Sequence, residues 1–126
     1  MNFRTKTVQD CGSTLQASWL PLDTNGLLIG IKDDRKEAGL AAILTTEKAR
    51  TLADALQSES STFISLPDEI TLSVSFITEG IANRDGVDLT LCAGWDSITS
   101  IFLDKGDIGD TVRLINKGLM EYAQAA

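Results

Sequence analysis

AGLAAILTTEKARTLADAL, residues 38–56, holds two structural periods in succession. Its first part, Gly39 to Leu44, is an uncharged apolar run of strand length. After Thr45 and Thr46 the pattern changes: Ala49, Leu52, Ala53 and Leu56 fall at i, i+3, i+4 and i+7, one face of a helix. A threonine hydroxyl at 45 or 46 can accept an otherwise unpaired N–H of the first turn, and Glu47 suits the positive end of the helix dipole. The stretch therefore predicts a buried strand, a threonine cap, and an amphipathic helix laid back on a sheet.

Working toward the N-terminus, Asn2 to Val8 alternates Phe3, Thr5 and Thr7 against Arg4, Lys6 and Val8, as an edge strand with basic side chains outward would. Gln9 to Ser13 reads as a turn. Leu15, Ala17 and Trp19 share one face of the next strand, which Pro21 ends. Asn25-Gly26 lies between two apolar runs and fits a two-residue type I′ hairpin returning through Leu27 to Lys32. Asp33 to Glu37, all charged, reads as the solvated tip of a second hairpin.

Toward the C-terminus, Ser58 to Thr62 is a polar break too short for a flexible linker. Phe63 to Leu66 reads as a short strand before Pro67. Ile70, Leu72, Val74 and Phe76 alternate with Thr71, Ser73, Ser75 and Ile77, and Val87, Leu89 and Leu91 alternate with Asp88, Thr90 and Cys92. Each pattern predicts a strand with one core face. Ile98 to Leu103 is the last strand. Asp104 to Asp110, DKGDIGD, leads into a helix whose stripe is Ile108, Val112, Ile115, Leu119 and Tyr122, widened by Met120 and Ala123. Asp107 fits its cap, followed by Asp110. Gly118, interior to this helix, allows close approach to the sheet or to another chain.

The expected class is α+β: a two-layer, mostly antiparallel sheet with two amphipathic helices on one face. TLQASW at Thr14 and TLSVSF at Thr71 suggest a β-β-β-α pseudo-duplication, with units at about 1–58 and 62–126 of a single domain, 1–126. A chain of 126 residues can bury a core without a metal or disulfide. The first ten residues lack an apolar run and no stretch is long enough to span a bilayer, so a cytoplasmic protein without membrane contact is expected.

The chain contains no histidine, which removes the commonest general base and metal ligand together with Ser-His and Cys-His arrangements. Cys11 and Cys92 form no CxxC pair and read as free thiols. DKGDIGD lacks the alternating oxygens and closing glutamate of a calcium loop, and GDIG is no phosphate loop. Paired acids such as Asp85 with Asp88, or Asp107 with Asp110, would suit carboxylate catalysis, but turns and caps use the same pairs. No catalytic, cofactor or metal site is assigned, and no enzyme is expected.

Charge is the remaining signal. Residues 1–60 carry eight acidic and seven basic side chains, whereas residues 61–126 carry ten and four, so nearly all of the net charge of −7 lies in the second part. Such a surface repels nucleic-acid phosphates and suits a basic protein partner, although net charge also serves solubility alone. The candidate contact residues are Glu79, Asp85, Asp88, Trp95, Asp96, Asp104 and Asp107. The expected function is a non-catalytic acidic binding module that blocks a basic surface, as inhibitors, immunity proteins or phage anti-defence proteins do. The alternative is a homo-oligomeric structural, assembly or chaperone-like protein, with a homodimer through the C-terminal helix.

Overall fold

The computed structural model describes residues 5–10, 12–21, 26–33, 38–77, 86–94 and 97–125. The chain runs β1 (Thr5–Asp10), β2 (Ser13–Trp19), β3 (Leu27–Asp33), β4 (Ala38–Leu44), α1 (Thr46–Ser58), β5 (Thr62–Leu66), β6 (Ile70–Ile77), β7 (Gly86–Ala93), β8 (Ile98–Asp104) and α2 (Lys105–Ala125). β1 to β4 form one antiparallel sheet in chain order, and β5 to β8 form another. The α+β class is the one the periodicity predicts. The strands divide into two sheets because α1 stands between β4 and β5, and each set of four pairs only with its chain neighbours. The first four strands and α1 thus have the same order of elements as the last four and α2.

The alternating patterns become the inner faces. Leu15, Ala17 and Trp19 of β2 are buried with Leu27, Ile29 and Ile31 of β3, and Leu72 and Val74 of β6 with Val87, Leu89 and Leu91 of β7. β8 touches all four strands of the first sheet, so it runs across them and brings the inner faces together. One hydrophobic cluster draws on both sheets and both helices.

Helix α1 forms as its sequence predicts. The Thr45 hydroxyl accepts the N–H of Lys48 at 3.2 Å. Ala49, Leu52, Ala53 and Leu56 are all buried, with Ala55 beside them. Leu52 and Leu56 each contribute roughly 1.5–3 kcal/mol by leaving water. The helix stops at Glu59, whose φ of 56° is left-handed and whose N–H returns to the carbonyl of Ala55.

Helix α2 buries Val112, Ile115 and Leu119, with Ile108 and Tyr122 partly buried. Its middle and last turns also hold the first sheet. The Trp19 indole N–H donates to the carbonyl of Leu114 at 2.9 Å. Trp19 and Tyr122 meet edge to face with ring centroids 5.1 Å apart. The Tyr122 hydroxyl donates to the carbonyl of Leu20 at 2.5 Å. Gly118 lies under the indole, where a Cβ would stand 2.1 Å from ring atoms of Trp19. Of the two approaches open to Gly118, the structure uses the one toward the sheet.

Several local expectations are corrected. Val8 is buried and Thr7 exposed, the reverse of what the alternation predicts for these two residues of β1. Its hairpin to β2 closes at Asp10 and Ser13, with Gly12 at a φ of 85°. Asn25-Gly26 is not a two-residue hairpin turn: Trp19 pairs with Leu27, and the N–H of Leu20 donates to the carbonyl of Gly26. Pro21 ends β2 before the shorter turn could form, and the Tyr122 hydroxyl fastens the wider connection. Asp33 is buried as the last residue of β3 rather than exposed at a loop tip. The pairing of Asp33 with Ala38 does make β3 and β4 a hairpin, while 34–37 lie outside the described residues. On α2, Met120 and Ala123 are exposed and do not widen the stripe.

Candidate functional site

The second sheet turns one face away from the core, built mostly of polar residues with one phenylalanine among them. In β7 these are Asp88, Thr90 and Cys92, and in β8 Ser100, Phe102 and Asp104. The register sets Gly86 opposite Asp104 and Asp88 opposite Phe102. Asp88 and Asp104 are therefore diagonal neighbours on one face, about 7–8 Å apart by the geometry of such pairs. Their repulsion at that distance is about 0.6 kcal/mol in water-like surroundings, small enough for the fold to carry.

The chain turns from Asp104 directly into α2. An Asp104 side-chain oxygen accepts the N–H of Asp107 at 2.9 Å, so Asp104 is the cap and the helix begins three residues earlier than a cap at Asp107 would place it. Asp107 becomes the acid of the first turn, and its carbonyl accepts the Thr111 hydroxyl at 2.8 Å. Asp110 pairs with Arg113 on the exposed side of the helix. DKGDIGD is thus a helix start. Among the described residues, no three histidine, cysteine or carboxylate side chains converge as metal ligands would.

Three of the seven candidate contact residues, Asp88, Asp104 and Asp107, come together at this end of the second sheet. Glu79, Asp85, Trp95 and Asp96 lie outside the described residues. The connection carrying Glu79 and Asp85 leaves β6 after Ile77 and rejoins at Gly86, beside Asp104. The connection carrying Trp95 and Asp96 joins β7 to β8 at the opposite end. Cys92 is a half-buried thiol of β7, and Cys11 lies outside the described residues.

A second surface lies around the corner of α2. Lys105, Ile108, Gly109, Val112 and Arg113 line a cleft of about 380 Å³ closed on its other side by Leu56, Gln57, Glu59 and Phe76. Their spacing is i, i+3, i+4, i+7 and i+8, a helix face that the sequence displays but that a search for an unbroken apolar stripe passes over. No helix among the described residues is long and apolar enough to cross a membrane. No family model matches this chain, and no curated protein matches it.

Proposed function

We propose that this protein is a non-catalytic acidic binding module of the cytoplasm, which docks on a basic surface of another protein and blocks it, as an inhibitor, immunity protein or phage anti-defence protein does. The observation that supports this most is the gathering of Asp88, Asp104 and Asp107 at one end of the sheet that belongs to the acidic part of the chain. Charge of this kind acts mainly on association rate and on partner choice. The lack of histidine fits a role without acid–base chemistry.

The test is capture of partners by tagged protein at low and high salt, with D88N/D104N/D107N alongside the wild type. Asparagine at 104 still caps a helix, so the triple variant loses charge while keeping its fold. A partner held by the wild type at low salt, and lost both at high salt and in the triple variant, supports the reading. Binding indifferent to both changes, or no retained partner, rejects it.

One observation favours self-association as a second reading. Met120 is 62% exposed on α2 and Phe63 is 75% exposed on the edge strand β5, large apolar side chains that a second copy would cover. Light scattering separates the two readings: a symmetric oligomer that M120E or F63E dissociates supports the second, and a monomer removes it.

A further inference from the structure

The cleft between the end of α1 and the start of α2 combines an apolar floor with two cationic side chains on one wall. Leu56 and Val112 are buried, and Phe76 and Ile108 are half-buried. Lys105 and Arg113 stand on the α2 wall. Residues 61–126 contain only four basic side chains, and two of them line this one cleft. Lys105 occupies the first position of α2, where a cation opposes the helix dipole, so helix stability does not account for it.

Gly109 lies between the two cations, one turn from each. A side chain there would meet open space apart from the Arg113 guanidinium, 3.7 Å from the position of its Cβ. Arg113 therefore folds back over Gly109 toward Lys105, as helix side chains lean toward the N-terminus. Its guanidinium carries five N–H donors, more than the contact with Asp110 uses. Among the described residues, Glu59 is the one acid on the cleft lining, and it stands on the opposite, α1 rim. The acids of the helix start, Asp104, Asp107 and Asp110, are not among the lining residues.

We propose that this cleft binds a small amphipathic carboxylate: an aliphatic body against Leu56, Phe76, Ile108 and Val112, and one carboxylate over Gly109 between Lys105 and Arg113. Its volume falls within the range of about 300–1,000 Å³ usual for small-molecule sites. Charge sets the direction of the ligand, since Glu59 repels a carboxylate from the α1 rim while Lys105 and the Arg113 N–H groups beyond those that Asp110 uses attract it to α2. The site requires neither the acidic sheet face nor a protein partner.

The probes are octanoate, held below its micelle-forming concentration, and octanol as its uncharged counterpart, followed by amide chemical shifts in full-length protein. Octanoate is expected to saturate, with shifts confined to residues 56–59, 76 and 105–113, and to bind about tenfold more tightly than octanol, the effect of one charge-assisted contact. K105Q/R113Q, at two exposed positions, is expected to reduce octanoate to the level of octanol. G109L fills the cleft and is expected to abolish both. Failure of octanoate to saturate overturns the proposal. So does equal binding of octanol, insensitivity to K105Q/R113Q, or shifts mapping elsewhere. None of these outcomes affects the reading of the acidic face, whose test uses other residues and a protein ligand.

Discussion

Gly118→Ala tests the junction between α2 and the first sheet, because two effects of opposite sign meet at one atom. An alanine inside a helix is worth about 1 kcal/mol more than glycine. On an unconstrained helix this substitution stabilises. Here the added methyl would stand 2.1 Å from two atoms of the buried Trp19 ring, well inside contact distance. Overpacking of this kind costs about 1–3 kcal/mol. The indole must shift, and its 2.9 Å hydrogen bond to Leu114 is lost or stretched, at about 1 kcal/mol more. The clash outweighs the propensity, for a net loss of about 2 kcal/mol. On a chain of 126 residues that is a fall in Tm of about 8 °C. Urea unfolding followed by tryptophan fluorescence measures it directly, with the control that the slope of the transition is unchanged. Trp19→Phe supplies the second arm: phenylalanine lacks the fused ring, so adding G118A to W19F should cost less than half of what it costs in the wild type. A G118A protein at least as stable as the wild type would refute the packing argument.

Three further substitutions probe single groups. Thr99 is 3% exposed and its hydroxyl has no hydrogen-bond partner among the described residues; T99V should raise stability by about 1 kcal/mol, read as a higher urea midpoint. Glu69 holds a φ of 60° in the tight link between β5 and β6, a conformation disfavoured for a side chain of this kind; E69G should stabilise by up to about 1 kcal/mol, and a lower Tm would refute the reading. D104A should lose about 1 kcal/mol with the cap of α2, whereas D104N should lose little, so equal losses in the two would show that charge rather than capping is at work.

The parts of the fold legible in the sequence are those where a local period coincides with a buried face. Ala49, Leu52, Ala53 and Leu56 declare α1, and Val87, Leu89 and Leu91 declare β7, because burial selects every second or every third-to-fourth residue. What was not legible depends on partners far along the chain. DKGDIGD offers acids at three-residue intervals, each a fair cap by local chemistry; the pairing of Asp104 with Gly86 ends β8 there and makes Asp104 the cap. Asn25-Gly26 has the composition of a tight turn, but Pro21 and the distant Tyr122 hydroxyl impose a wider one. The candidate site follows the same division. An acidic excess in residues 61–126 can be counted in the sequence, yet the placement of Asp88 beside Asp104 needs the register of two strands, and the cleft needs α1 against α2.

Helix α2 carries more than its share of these long-range constraints, and its composition reflects it. It keeps glycines at 109 and 118 in its interior, each worth about 1 kcal/mol against helix formation relative to alanine. Propensity therefore cannot be what holds it, and tertiary contact must. Gly118 has its reason in the Trp19 ring above it, and Gly109 lies where the cleft opens. Val112, Ile115 and Leu119 supply the buried stripe that offsets both. In sequence the helix closes the second run of four strands, but Leu114 and Tyr122 fasten it to Trp19 and Leu20 of the first. The repeated order of four strands and a helix thus does not yield two independent units. The middle and last turns of α2 complete the core of the first, and a change at Gly118 is felt by the strand that carries Trp19.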